Sequence, residues 1–297
     1  MSVDNSASSN TDVQIKDRSL WADAWYRLCR DKVAVTSVII VAVYSVIGLL
    51  SAFGIIAADW SQEVGPSYAP PSAEFWMGTD IFGRSVMSKI IHGTQVAMSV
   101  GLVSSLIAIP IGVGLGAIAG YYGGKVDEVI VWLYTTFSSI PYIMLLMSFS
   151  LILGRGLTSI WIALGATSWV ALCRLIRGEV MKHKNREYVQ AAESIGVGKL
   201  TRLFKHILPN VTHIVIIRTS LQFQIAIKAE VILSFLGIGV SGQPSWGTMI
   251  DDAKLELARG VWWQFAGATV AMFIVVLAFN ILGDALRDAL DPKLKGK

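Results

Sequence analysis

Long apolar stretches alternate with short polar ones along most of the chain. Several of them approach the roughly 20 apolar residues that a helix needs to cross the hydrocarbon core of a bilayer. The six predicted spans are Val33–Ala57, Val96–Ala119, Val129–Leu153, Leu157–Leu175, Val211–Leu236 and Val261–Leu282. The pattern therefore predicts an all-α, polytopic membrane protein with six transmembrane helices.

The composition agrees with this prediction. Of the 297 residues, 54% are hydrophobic and only 15% are charged, whereas soluble domains are about one-quarter charged. The net charge of +4 fits basic loops that face anionic lipid headgroups. No stripe of mixed basic and aromatic residues indicates nucleic acid. We therefore expect membrane lipid, and not nucleic acid, to surround this chain.

Polar segments between the spans predict how the chain is divided. The predicted regions are a cytoplasmic tail (1–32), a first transmembrane helix (33–57), an external loop (58–95), a core of five transmembrane helices (96–284) and a second cytoplasmic tail (285–297). The first tail ends in a predicted amphipathic helix from Arg18 to Lys32. Its apolar face is formed by Leu20, Trp21, Trp25 and Leu28.

Basic residues assign the two sides of the membrane, because cytoplasmic loops carry an excess of Lys and Arg. With the N-terminus inside, eighteen of the 25 Lys and Arg residues fall in cytoplasmic segments and five in external loops. Both termini and the polar loop 185–210 are therefore predicted to face the cytoplasm.

The loop 185–210 is too polar to span a bilayer. It predicts a short helix from Glu187 to Ile195, a break at two glycines, a second, basic helix from Lys199 to His206, and a stop at Pro209. One side of the first helix is small and apolar, since the following residues recur at helical spacing: Tyr188, Ala191, Ala192 and Ile195. This pattern is typical of a docking element, and also of an amphipathic loop on the membrane surface.

The same loop resembles the "EAA" loop of ABC-importer permeases, whose pattern is E-A-A, three residues, Gly, nine residues, I-x-L-P. Counting from Gly196, the alanine pair is Ala191 and Ala192, and the ending is Leu208 and Pro209. The chain departs from the pattern at Gln190, where the family has Glu, and at His206, where it has Ile.

Three further segments are similar to the C-type subunit of dipeptide, oligopeptide and nickel permeases. They are the stretch FWMGTDIFGRSVMSK from Phe75, the stretch LSFLGIGVSGQPSWGTM from Leu233, and the tail GDALRDALDP from Gly283. Ser85 and Lys89 replace the Asp and Arg of the family's first segment. The resemblance runs from about Ser19 to Lys295.

The resemblance implies a type I ABC-importer permease architecture in a bacterial inner membrane. It implies three kinds of partner: a homologous second permease, two cytoplasmic ATPase subunits, and an external solute-binding protein. ATP and Mg would be bound by the ATPases, so this chain would be a non-catalytic subunit without a cofactor of its own. The residues expected to dock on the ATPase are Glu187, Tyr188, Ala191, Ala192, Gly196 and Leu208.

Span two carries Gly112, Gly116 and Gly120 at intervals of four residues. This spacing lets helices approach closely. We expect packing inside the subunit, with a seam against a partner permease as the alternative. Pro110 and Pro141 lie within spans and are expected to kink them, because proline cannot donate a backbone hydrogen bond.

Span five is the most polar of the six. It contains Arg218, Gln222, Gln224, Lys228 and Glu230. A charge at membrane depth is costly and normally faces water or a partner. Gln224, Lys228 and Glu230 are therefore candidates for lining the translocation path or a subunit interface, whereas Arg218 can extend toward the cytoplasmic side. Lys228 and Glu230 are two residues apart, so they need separate partners.

Motifs for chemistry are missing from the sequence. No glycine-rich loop has the spacing of an ATP-binding signature, and the histidines and cysteines show no metal-binding pattern. We predict no catalytic and no metal-binding residues. The favoured function is an importer permease for di- or oligopeptides, with nickel, opines or another small solute as the alternative. Two rival hypotheses from other classes of protein, a self-contained secondary transporter and an intramembrane enzyme, rank below the permease.

Overall fold

The computed structural model describes residues 20–290, with side chains from residue 25 onward, so predictions on the two ends of the chain lie outside it. Within this range the protein is helical, and its β-pairing is limited to two isolated bridges. The helices are α1 (Leu20–Arg30), α2 (Lys32–Ala52), α3 (Val86–Tyr122), α4 (Gly124–Ser139), α5 (Tyr142–Leu153), α6 (Leu157–Lys184), α7 (Glu187–Ser194), α8 (Lys199–Thr201), α9 (Leu208–Phe235), α10 (Trp246–Leu257) and α11 (Trp263–Leu290), with a π-helix over Arg202–Ile207. The all-α prediction is confirmed.

The first two helices follow each other almost directly. α1 packs on α11 and covers most of the predicted amphipathic helix. Of its predicted apolar face, Leu28 is buried and Trp25 is exposed. The Asp31 carboxylate caps α2 by accepting the backbone N–H of Val33 at 2.8 Å. α2 ends at Ala52, so the predicted end of the first span at Ala57 is wrong.

α3 is the longest helix and packs against α2, α6, α9 and α11. Its 37 residues give a length of about 56 Å, well beyond the roughly 30 Å of a hydrocarbon core. It starts at Val86, inside the segment predicted as an external loop, and runs through Pro110 without a break. α3 therefore reaches past the membrane.

The contact between α3 and α6 is built on glycine. A Cβ at Gly116 would lie 2.5 Å from the carbonyl oxygen of Cys173, and one at Gly120 would lie 2.6 Å from that of Arg177. A side chain cannot fit in either place, so the two backbones touch there. The prediction that these glycines pack inside the subunit is confirmed.

The third predicted span, Val129–Leu153, is not one helix. α4 and α5 meet at an angle of 91°. Pro141 separates them, and Ile140 before it is extended, with φ −89° and ψ 130°, as proline requires of the residue that precedes it. The predicted kink at Pro141 is confirmed, but the continuous helix is wrong.

The fourth predicted span ends at Leu175, whereas α6 continues to Lys184. Arg174 and Arg177 lie within this helix and have partners on α4. The guanidinium of Arg177 donates to both carboxylate oxygens of Asp127, at 2.5 and 2.6 Å, and that of Arg174 lies 4.8 Å from the centre of the Tyr134 ring.

The predicted second helix of the loop, Lys199–His206, also differs from the structure. α8 has only three residues, and the π-helix carries the chain directly into α9. Pro209 does not stop a helix, because it lies in the first turn of α9, where its missing N–H is not needed. α9 therefore begins at Leu208 and not at Val211.

Within residues 20–290, four helices are long and apolar enough to cross a membrane: α2, α3, α6 and α11. The bent pair of α4 and α5 would be a fifth span. α9 has 28 residues, but its polar residues lower its hydropathy below that of the other spans. Its membrane crossing, and with it the count of six, stays a prediction. α11 runs to Leu290, past the predicted end at Leu282.

Candidate functional site

The loop after α6 is firmly attached to the helical bundle. Val189 of α7 is buried in one apolar cluster with Tyr121 of α3, Ile176 of α6 and Val211 of α9. Leu203 of the π-helix belongs to the same cluster. The loop therefore rests on the ends of three long helices, so its position is tied to theirs.

An ion pair fastens α7 to the π-helix. The Arg202 guanidinium lies 2.6 Å from the Glu193 carboxylate, and Arg202 is buried while Glu193 is largely exposed. The hydrogen bond from Arg202 lowers the pKa of Glu193. The pair therefore stays charged at neutral pH and fixes the angle between the two segments.

α7 ends in a tight cap at Gly196. The N–H of Gly196 donates to the Glu193 carbonyl at 2.9 Å, and the N–H of Val197 donates to the Ala192 carbonyl at 3.0 Å. Gly196 has a φ of +82°, a left-handed conformation that L side chains adopt only with strain. The reversal after α7 therefore depends on glycine at this position.

The predicted docking residues divide between two sides of the loop. Glu187, Tyr188 and Ala191 are exposed, whereas Ala192 is buried beneath α7. Leu208 is half-buried against the same cluster as Val189. The structure thus separates the two alanines, which the helical spacing had placed on one side.

Three larger apolar side chains of the same loop face outward. Ile195 is 81% exposed, Leu200 60% and Phe204 58%. The helical spacing predicted Ile195 on the apolar face, but not Leu200 and Phe204, because these two lie in a segment of basic character. The sequence feature that could have revealed them is a pair of apolar residues, four positions apart, within that polar segment.

A cleft of about 270 Å³ opens between α7 and the end of α3. We call it the basic cleft, because Lys184, Lys199 and Arg202 line it together with a single acid, Glu193. The Lys184 ammonium lies 5.6 Å from the centre of the Tyr121 ring. This side of the loop therefore presents positive charge next to exposed apolar side chains.

The polar residues of α9 point in different directions. Gln224 is buried and donates to Asn280 of α11 at 3.1 Å. Glu230 is buried and accepts the Ser234 hydroxyl at 2.7 Å. Lys228 is exposed and forms no ion pair within the described part of the chain. The structure therefore does not bring the three residues together. For Lys228 and Glu230 this agrees with their spacing of two residues, which predicted separate partners.

The Gly-Thr-Asp segment before α3 forms a defined turn. The Asp80 carboxylate accepts the backbone N–H groups of Phe82 and Arg84 at 2.8 and 2.9 Å. The Thr79 hydroxyl donates to the Pro66 carbonyl at 2.6 Å. Trp263 of α11 donates its indole N–H to the Thr79 carbonyl at 2.9 Å, so the turn is fixed to the bundle.

Two known families match the sequence. Residues 112–296 match the family described as binding-protein-dependent transport system inner membrane component. Residues 19–71 match the N-terminal transmembrane domain of oligopeptide transport permease C.

Curated relatives match over nearly the whole chain. The dipeptide transport system permease protein DppC of Bacillus subtilis is 35% identical, over 92% of this chain and 86% of the relative. The oligopeptide transport system permease protein OppC of Haemophilus influenzae is 35% identical, over 98% and 94%. The glutathione transport system permease protein GsiD of Pectobacterium atrosepticum is 34% identical, over 95% of each.

Among solved structures, a chain of the inward-facing MetNI methionine ABC transporter has the same fold. The TM-score is 0.57 with 16% sequence identity, over 69% of this chain and 98% of the other. Fold, loop and family together define a permease of the ABC-importer type. The chain belongs to the family of binding-protein-dependent transport system inner membrane components, and it is an integral protein of the bacterial inner membrane.

Proposed function

We propose that this chain is one permease subunit of an ATP-driven importer of di- or oligopeptides. It pairs with a homologous second permease, and together they enclose the translocation path. Two cytoplasmic ATPase subunits bind ATP and Mg, and an external solute-binding protein delivers the solute. Three relatives named for dipeptide, oligopeptide and glutathione transport support the class of solute, since glutathione is itself a peptide.

The attachment of the loop is the observation that carries this proposal. Val189 and Leu203 are buried in a cluster shared with α3, α6 and α9, while Ile195 and Phe204 face outward. Exposed apolar side chains beside positive charge are suited to bind another protein. A partner ATPase that moves this surface therefore moves the ends of three long helices, which is how ATP hydrolysis is coupled to the path.

Lys228 supports a role of α9 at the path or at the subunit interface. An exposed ammonium within a predicted span is costly against lipid. The described part of the chain offers it no carboxylate partner. Lys228 therefore faces the water of the path or the second permease. The buried Gln224 positions α9 against α11 through its bond to Asn280. The buried Glu230 accepts the Ser234 hydroxyl, which in turn accepts the N–H of Val240 in the segment that follows α9.

The test is reconstitution of the complete complex in lipid discs. This chain is co-expressed with its candidate second permease, ATPases and binding protein, and ATP hydrolysis is measured with and without the peptide-loaded binding protein. A stable complex whose hydrolysis rises with the loaded binding protein is the expected result. A lone oligomer that moves peptides without any ATPase would contradict the proposal.

A further inference from the structure

A second cleft lies at the opposite end of α3 from the basic cleft. Its volume is about 180 Å³, and it is enclosed by the Asp80 turn, the first turn of α3, α10 and the start of α11. We call it the acidic cleft. Its charged residues are Asp80, Arg84, Lys89, Asp252 and Glu256. They comprise three carboxylates and two cations.

The two cations are already engaged with other groups. The Lys89 ammonium is buried and donates to Asp80 at 3.0 Å and to Gln264 at 2.7 Å. The Arg84 guanidinium lies 4.8 Å from the centre of the Phe82 ring. Its Nε has no hydrogen-bond partner among residues 25–290, but the ring stabilises its charge. Lys89 therefore neutralises Asp80 and leaves the other two carboxylates.

Glu256 and Asp252 form no ion pair among residues 25–290, although the nearby Lys89 ammonium, which is bonded to Asp80, favours their ionised forms. Glu256 is only 3% exposed, and its Oε2 has no hydrogen-bond partner in the part of the chain that the structure describes. The two residues are four positions apart on α10, where like charges repel. A buried ionised carboxylate without a partner is costly, so a further positive group in the cleft would stabilise the ionised form of Glu256.

The size and composition of the cleft restrict which cation completes it. No group of three His, Cys, Asp or Glu side chains within the described range could hold a metal ion. The cleft's volume of about 180 Å³ is below the roughly 300 Å³ at which small-molecule pockets begin. A whole peptide therefore does not fit, whereas one long side chain with an ammonium or guanidinium group does.

We propose that the acidic cleft receives a lysine or arginine side chain of the external solute-binding protein, which pairs with Glu256 and Asp252. This inference rests on the proposed function, because it requires the predicted external position of the cleft and a binding protein as partner. The binding protein would be recognised here by charge, at the start of the helix whose other end carries the basic cleft.

The experiment titrates the binding protein into the complete complex in lipid discs and measures the concentration that gives half-maximal stimulation of ATP hydrolysis. The variants are Glu256→Gln and Asp252→Asn, each of which removes one charge and keeps the size. The matched control is Asp251→Asn. Asp251 is the neighbour of Asp252 on α10, but it pairs with Lys254 at 2.6 Å and does not line the cleft.

We expect Glu256→Gln to raise the half-maximal concentration about tenfold or more, and Asp252→Asn to raise it by a smaller factor. Asp251→Asn is expected to stay within a factor of two. Added salt should weaken the binding-protein interaction of the wild type more than that of Glu256→Gln, because the variant has less charge attraction left for salt to screen. If the complex with Glu256→Gln fails to assemble, Asp252→Asn tests the inference in its place. Asp252 is exposed, so its substitution should not disturb folding.

Two results would overturn the inference. In the first, both cleft variants behave like Asp251→Asn. In the second, they leave binding-protein titration unchanged but impair uptake of peptides with a free amino group and not of N-acetylated peptides, which would make the solute's own ammonium the occupant. A wild-type complex that is not stimulated by any binding protein would instead refute the proposed function, and this inference with it.

Discussion

The two ends of α3 carry clefts of opposite charge. Lys89 at one end and Tyr121 at the other are separated by about 48 Å of helix, at 1.5 Å per residue. The acidic cleft leaves carboxylates without partners, whereas the basic cleft gathers three cations around Glu193. Exposed apolar side chains accompany both clefts: Ile81, Phe82 and Leu255 line the acidic cleft, and Ile195, Leu200 and Phe204 lie on the basic cleft's loop. The two ends of one helix thus present surfaces that differ in the sign of their charge, and they are suited to partners of opposite charge.

The seam between α3 and α6 connects these two ends. Gly116 meets the backbone of α6 directly, so a side chain there must push the two helices apart. We expect Gly116→Val to abolish assembly of the complex, because the clash involves backbone atoms that cannot rotate away. The measurement is the yield of monodisperse complex after purification.

Gly114→Val is the matched control for this prediction. Gly114 lies on the same helix two residues earlier, and a Cβ there would meet nothing within 4 Å. Normal yield for Gly114→Val beside loss for Gly116→Val would assign the effect to the seam. Equal loss in both would mean that the Gly114 side of α3 packs against the second permease.

A second prediction tests the loop as the coupling element while leaving the seam intact. Gly196→Val forces a β-branched residue into a φ of +82°, which strains the cap of α7 by about 1–2 kcal/mol or more. We expect peptide uptake to fall more than tenfold while the complex still assembles and hydrolyses ATP. Uptake and hydrolysis are measured on the same proteoliposomes.

Gly198→Val controls for added bulk in this loop. Gly198 has an ordinary φ of −64°, and open space surrounds a Cβ at both glycines. The two variants therefore differ chiefly in backbone strain. Normal uptake with Gly196→Val would refute the coupling role, and equal failure of both variants would assign the defect to bulk at the docking surface.

A third prediction concerns pH at the acidic cleft. Burial raises the pKa of Glu256 to about 7, with the Lys89 ammonium opposing the shift and the Asp252 and Asp80 carboxylates adding to it. Arg84 also lines the cleft. A cationic side chain pairs with the ionised form, so binding strengthens as the pH rises through this pKa. From pH 6 to pH 8 the ionised fraction rises about tenfold.

We therefore expect the concentration of binding protein that gives half-maximal stimulation of ATP hydrolysis to fall about tenfold between pH 6 and pH 8. Asp251→Asn should retain this dependence, and Glu256→Gln should lose it. A profile that is equally steep in Glu256→Gln would show that a different group titrates.

The hydrophobic pattern predicted the helical fold and the approximate place of most spans, because membrane burial requires long apolar segments. It could not predict where α6 ends, since the Arg177–Asp127 pair forms between residues 50 positions apart. The family resemblance placed the loop correctly along the chain. Helical spacing alone did not reveal that Ala192 faces inward, because that depends on how α7 packs on the bundle.

The acidic cleft had no signal in the sequence. Asp80 and Lys89 lie before and within α3, while Glu256 lies on a helix far along the chain, and only the folded bundle brings them to one cleft. The Arg202–Glu193 pair was missed for a related reason. Its residues are nine positions apart across a turn whose geometry is set by the cap at Gly196, and the predicted basic helix gave Arg202 no specific partner.

The smallest expected effect concerns that ion pair. Glu193→Ala leaves the buried Arg202 guanidinium without a carboxylate, so α7 should move more freely on the π-helix. We expect protease cleavage in the loop to become about threefold faster and peptide uptake to fall by a similar factor, because the buried contacts of Val189 still hold α7. Glu128→Ala removes an exposed carboxylate of α4 that forms no ion pair among the residues the structure describes, and it is the matched control for loss of charge. If Glu193→Ala and Glu128→Ala are cleaved at the same rate, the ion pair does not hold the loop, and the apolar cluster alone fixes the surface that faces the ATPase.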